Sequence, residues 1–158
     1  MLFNFGNNSQ ITTKHYSVMK NFHIEPSVNT PNFLFDVESL TLTLSGVSEI
    51  SKDNLYYSTI TNFIDDIEIF KPSRLYCVFD FDVLCRTSKR GLLFFLIRLK
   101  DLQTNCGTQL TVNWICNPGD NLIRTIGLNI DYMVRLKINF IDKNLPENKV
   151  KEVGELVF

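Results

Sequence analysis

At 158 residues, with 44% hydrophobic and 21% charged residues, the chain suits one globular domain with a single core and not a disordered segment. A formal net charge of -1 supplies no basic excess for nucleic acid or an anionic membrane, and the apolar runs are too short and interrupted to span a bilayer. The opening MLFNFGNNSQ lacks the basic start and continuous apolar stretch of a signal peptide.

A cytoplasmic protein with reduced thiols is therefore expected. Cys77 and Cys116 sit in apolar runs and read as small buried hydrophobes. No two of Cys77, Cys85, Cys106 and Cys116 have CxxC spacing, and His15 and His23 complete no metal-ligand pattern, so no metal is expected. Residues 1–21 read as a loose polar tail, with Met19 as a second candidate translation start. Residues 22–142 form the domain, and 143–158 a charged, weakly patterned tail.

Pro26 and Pro31 punctuate an extended entry segment. Leu40, Leu42 and Leu44 then alternate with Thr41, Thr43 and Ser45, which predicts a strand with one buried face, ended by Gly46. A helix is predicted from about Asp53 to Ile67, with Leu55, Tyr56, Ile60, Phe63, Ile64 and Ile67 on one side and Ser51 capping its first turn. Leu75 to Leu84 reads as a strand with Leu75, Cys77, Phe79, Phe81 and Val83 on one face and Tyr76, Val78, Asp80 and Asp82 on the other.

The polar run Arg86-Thr87-Ser88-Lys89 opens a second helix. Its core stripe is Leu92, Phe95, Leu96, Leu99 and Leu102; Leu93, Phe94 and Ile97 widen that stripe beyond what one sheet needs, and Gly107 suits its C-terminal cap. Leu110, Val112, Trp114 and Cys116 mark a third strand, and Asn117-Pro118-Gly119-Asp120 a turn. A short helix is expected from Asn121 to about Ile126. Val134, Leu136, Ile138 and Phe140, alternating with Arg135, Lys137 and Asn139, predict a last strand.

One apolar and one polar face per strand implies helices on a single side of the sheet, because a parallel sheet covered on both sides reads as continuous apolar runs. The expected architecture is a two-layer α/β domain, a mixed sheet with helices packed on one face. Thr41, Thr43, Asp80, Asp82, Asn113, Arg135 and Lys137 should lie on the open face.

Two features carry candidate chemistry. Val78-Phe79-Asp80-Phe81-Asp82 is an apolar strand carrying DxD and resembles the first motif of haloacid-dehalogenase-type phosphotransferases, in which both carboxylates hold Mg²⁺. A Mg-dependent phosphatase using Asp80 and Asp82 is thus one reading. Cross-strand pairing of these aspartates with Arg135 and Lys137 is the simpler one. The second feature is Cys85-Arg86-Thr87-Ser88, where free amides and the helix dipole favour an anion. A hydroxyl there is either a helix cap or a phosphoacceptor, and Arg86, Lys89 and Arg90 would attract a phosphate or an acidic partner surface.

The order HIEPSVNTPNFLFD, LTLSGVS, TSKRGLLFFLIRLKDL, CGTQLTVNW and NLIRTIGLNIDYMVRLKINFID resembles the SiaC-type regulatory phosphoproteins, whose fold is similar to STAS domains such as anti-anti-sigma factors. The resemblance implies a partner-switching protein without cofactors. Members of that family are phosphorylated on a Thr at the helix start by a Ser/Thr kinase and dephosphorylated by a PP2C-type phosphatase. The resemblance implies that the unphosphorylated form binds a diguanylate cyclase, in cyclic di-GMP signalling that favours aggregation or biofilm. Aligned through Lys89, the family's phosphoacceptor Thr is replaced by Cys85, with Thr87 and Ser88 as nearby hydroxyls. The family's G-x-S-x-P-E reads Gly46-Val47-Ser48-Glu49-Ile50-Ser51, without Pro and Glu. The expected partner surface joins Gly46, Ser48 and Glu49 to Arg86, Thr87, Ser88, Lys89 and Arg90. A plain interaction domain without a phosphoswitch is the remaining alternative.

Overall fold

The computed structural model describes residues 18–51 and 54–143. Most of both expected tails, and the expected helix start at Asp53, lie outside the described residues. Three strands lead, β1 (Phe22–Ile24), β2 (Asn32–Asp36) and β3 (Thr41–Ser48). They are followed by α1 (Tyr56–Phe70), β4 (Arg74–Leu84), α2 (Arg86–Cys106), β5 (Gln109–Cys116), α3 (Asn121–Val134) and β6 (Asn139–Asp142).

The strands form one mixed sheet in the order β1-β2-β3-β4-β5-β6. The first three pair antiparallel and β3 to β6 run parallel. Each parallel step moves the sheet in the same direction through one helix. Right-handed crossovers then place α1, α2 and α3 on the same face, and the packing bears this out. Phe63 of α1 meets Phe22, Phe33 and Phe35, and Phe95 of α2 meets Phe33 and Phe79. Gly127 of α3 lies so close to Trp114 and Phe140 that an added Cβ would sit 2.8 Å from each ring. The mixed, one-sided α/β sheet expected from the alternation is the one observed. Leu34, Thr43, Val78, Asn113 and Asn139 stand in register across the other face.

Several local expectations are corrected. The entry segment contains an antiparallel pair, β1 with β2, whose Phe33 and Phe35 are fully buried. Gly46 does not end β3; it lies within the strand at φ +99°, where the β3–β4 register slips. Gly46 pairs with Phe81 but Val47 pairs with Val83, which leaves Asp82 as the extra residue of a bulge. The bulge turns Val83 outward and Leu84 inward, opposite to the simple alternation.

Helix α1 starts at Tyr56 after Leu55, with no side-chain cap from Ser51; the Asn54 side chain accepts the Tyr56 N–H instead. Helix α3 runs on to Val134. Arg135 and Lys137 both adopt φ +58°, and the Asp131 carboxylate accepts the Ile138 N–H. This left-handed turn lets Leu136 and Ile138 both be buried without being strand residues, so the apolar alternation there mimics a strand. Arg135 and Lys137 are consequently not on the sheet beside Asp80 and Asp82.

Candidate functional site

Cys85 occupies the position before the first residue of α2, with extended backbone (φ -85°, ψ 164°). Arg86, Thr87 and Ser88 therefore fill the first turn of the helix, and neither hydroxyl residue is the N-cap. The three side chains diverge in role. Ser88 is 1% exposed. Its hydroxyl accepts the Ile50 N–H at 3.0 Å and donates to the Ser48 carbonyl at 2.9 Å. The Cys85 N–H donates to the same carbonyl at 3.0 Å. Ser48 is fully buried, with its hydroxyl 2.9 Å from the Tyr57 hydroxyl. Ser48 and Ser88 thus lock the end of β3 to the start of α2, and both hydroxyls face inward.

Thr87 by contrast is exposed, and its Oγ1 lies 2.8 Å from Cys85 Sγ. Burial raises the Cys85 thiol pKa, but hydrogen bonds with the side chains and backbone of Ser88 and Thr87 outweigh it and the net shift is downward. Arg86 and Arg90 are exposed, Lys89 is half-buried and Glu49 is exposed on the facing loop. The structure therefore brings the β3–α1 loop and the α2 start together and leaves Arg86, Thr87, Lys89, Arg90 and Glu49 at the surface.

Beside this end lies a groove of about 670 Å³ between α1 and α2. Its walls include Ile50, Tyr57, Phe94 and Ile97, with Arg86 and Arg90 at the α2 start. Phe94 is 53% exposed, and the Arg90 guanidinium sits over its ring, 5.7 Å from the centroid. Gly91 permits the close approach of the two helices, because an added Cβ would fall 2.7 Å from Tyr57. The signal for the groove is the excess width of the α2 apolar stripe: Phe94 and Ile97 face outward, not onto the sheet.

Among the described residues Asp80 and Asp82 do not converge on one site. Asp80 pairs with Lys143 at 3.1 Å on the open face, while Asp82 is exposed on the bulge. Among the described residues no group of three His, Cys, Asp or Glu side chains converges as a metal site. No described helix is long and apolar enough to cross a membrane.

Fold and site together define an α/β domain that presents a basic helix start and an adjacent groove. The chain belongs to the SiaC family of regulatory phosphoproteins, whose family model matches residues 24–143. No curated protein matches the sequence. Among solved structures, apo-SiaC from Pseudomonas aeruginosa is 16% identical, with a TM-score of 0.60, covering 78% of this chain and 98% of that one. SiaC in complex with the diguanylate cyclase SiaD from the same organism gives 14% identity and a TM-score of 0.67, over 77% of this chain and 98% of that one. At these identities the solved structures establish the fold.

Proposed function

We propose that this protein is a non-enzymatic, cytoplasmic regulatory adaptor that binds and activates a diguanylate cyclase. The family match over residues 24–143 carries the reading, since a protein of the same fold is the activator bound to SiaD. The exposed Arg86 and Arg90 and the half-buried Lys89, next to the Glu49 loop, form the partner surface. Ser48 and Ser88 support it from beneath.

A Ser/Thr kinase and a PP2C-type phosphatase set the state of this surface through Thr87. The burial and double hydrogen bonding of Ser88 favour Thr87 as phosphoacceptor, and Cys85 offers a thiol where an ordinary kinase needs a hydroxyl. A phosphate on Thr87 places about two negative charges between Arg86 and Arg90 and offsets most of the positive charge that the partner meets.

Calorimetric titration of the protein into a diguanylate cyclase from the same organism tests the reading. A saturable complex is expected. Absence of binding by the unphosphorylated protein would remove the adaptor function.

A further inference from the structure

Sheet and helix layer end together on the side of the molecule away from α1. β6 is the last strand of the described sheet, and α3 lies over it and its neighbour, with Gly127 packed against Trp114 of β5 and Phe140 of β6. The Lys143 N–H bonds the Cys116 carbonyl of β5. Backbone groups of successive strand residues point to opposite sides, so the N–H and C=O of Phe140 point away from β5, to the outer edge. The other edge strand, β1, is three residues long, carries His23 and is followed by Glu25 and Pro26, which guard it against pairing. Asn139–Asp142 has no such proline, and its Asp142 charge is engaged by Arg124.

α3 presents a matching flank. Arg124 pairs with Asp142, and the Asp131 carboxylate accepts the Ile138 N–H, so both side chains lean toward the β6 side of the helix. Leu128 lies one turn from each of them on that flank and is 50% exposed. Tyr132, one turn further on, is 86% exposed. The flank has a guanidinium at one end, an apolar middle and a carboxylate at the other. Turned end for end, it complements itself.

We propose that this edge is the contact between two copies of the chain, related by a two-fold axis perpendicular to the sheet. Under that axis β6 pairs antiparallel with its copy, Phe140 opposite Phe140 of the partner subunit, and the exchanged N–H···O=C bonds join the two sheets. Strands are about 4.8 Å apart and α3 sits over β5 and β6, so the same axis sets α3 and its copy about 10 Å apart, the packing distance of two helices. Because Gly127 stands over Phe140, Leu128 falls beside the axis and meets Leu128 of the partner subunit. Arg124 then faces Asp131 of the partner subunit, and the reciprocal pair forms across the axis. A parallel arrangement would set each charge against its own copy, which is repulsive. Two four-residue strands and two helix flanks bury an area near the lower end of stable interfaces, roughly 1,200 Å², so assembly is expected in the micromolar range. The inference is independent of the adaptor reading.

Light scattering on the full chain over a dilution series tests it. Wild-type protein is expected to approach twice the chain mass at high concentration and to fall to the single mass on dilution. Hydrogen exchange at the Phe140 amide should speed up over the same dilution. Arg124→Asp and Asp131→Arg should each weaken dimerisation at least about tenfold, since each sets like charges together on both sides of the axis. An equimolar mixture of the two should recover the dimer, because every charge then faces its opposite; a merely structural role for either residue gives no such recovery. Leu128→Asp should be a folded monomer, with a melting temperature close to that of the wild type at low concentration. A wild-type chain that stays monomeric, a dimer that survives Leu128→Asp, or a mixture of the two folded charge variants no better than its components would overturn the proposal. So would a monomer whose Phe140 amide is protected at every dilution, which would assign the edge to residues 144–158 of the same chain.

Discussion

The Ser88 hydroxyl, in the first turn of α2, accepts the backbone N–H of Ile50 at 3.0 Å across 38 residues of chain. It also donates to the Ser48 carbonyl, so one small side chain satisfies two buried backbone groups. The loop after β3 and the helix that carries the candidate partner surface are held as one unit by this bond pair.

Ser88→Ala leaves the Ile50 N–H buried without its acceptor. The expected cost is about 1–3 kcal/mol, read as a lower midpoint in denaturant unfolding. Thr87→Ala, at an exposed position, should change stability by less than about 0.5 kcal/mol. Equal effects of the two variants would contradict the division between a structural and a surface hydroxyl.

Gly127→Ala should destabilise the fold through α3 alone. The new Cβ would lie 2.8 Å from both the Trp114 and Phe140 rings, between α3 and the β5–β6 edge. Overpacking of this kind costs about 1–3 kcal/mol. Gain of stability, as expected for Gly→Ala in an unobstructed helix, would show that the helix stands further from the sheet.

Phosphate transfer by the cognate kinase should appear in peptide mass spectra on Thr87 and vanish in Thr87→Ala. Ser88 should remain unmodified in the folded protein. Cys85→Thr should create a second acceptor at the helix N-cap. Stoichiometric phosphate on Ser88 in the folded wild-type protein would mean that the β3–α2 lock opens readily.

Two thiols should behave oppositely. Burial pushes the Cys77 pKa up to about 12, while that of Cys85 is shifted down. Iodoacetamide near neutral pH should therefore modify Cys85 well before Cys77. Linkage gives the sign for stability. The Cys77 contribution is fully present below the unfolded thiol value of 9.0 and is lost as pH rises toward about 12, because the unfolded chain releases its proton first. The slope contributed by that thiol is at most about 1.4 kcal/mol per pH unit. Cys77→Ala should flatten the alkaline limb of the stability curve even as it lowers stability at neutral pH; an unchanged alkaline limb would contradict the assignment.

Much of this was legible in the sequence because each strand–helix–strand unit keeps a single period. The alternation of Leu42 and Leu44, of Cys77 and Phe79, and of Val112 and Trp114 defined the buried face. The 3.6-residue stripe of α2 defined its packing and, through Phe94 and Ile97, hinted at the groove. The misreadings occurred where tertiary structure broke a period. The Asp82 bulge exchanged the faces of Val83 and Leu84, and two left-handed residues, Arg135 and Lys137, produced a strand-like alternation in a turn. Proximity of Ser48, Ile50 and Ser88 was suggested only by the family resemblance. The inward direction of both serine hydroxyls had no sequence signal, since a serine near a helix start reads equally well as a cap, a surface hydroxyl or a tertiary clamp.

The central claim is that the exposed start of α2 carries the regulatory contact. The rate of cyclic di-GMP synthesis by a diguanylate cyclase from the same organism, measured with wild-type protein and with the Arg86→Glu/Lys89→Glu double variant, tests it most directly. The account predicts that wild-type protein raises the rate and that the double variant raises it little, at unchanged thermal stability, because exposed charges contribute only about 0–1 kcal/mol to folding. Full activation by a folded double variant, or no activation by the wild type, would contradict it.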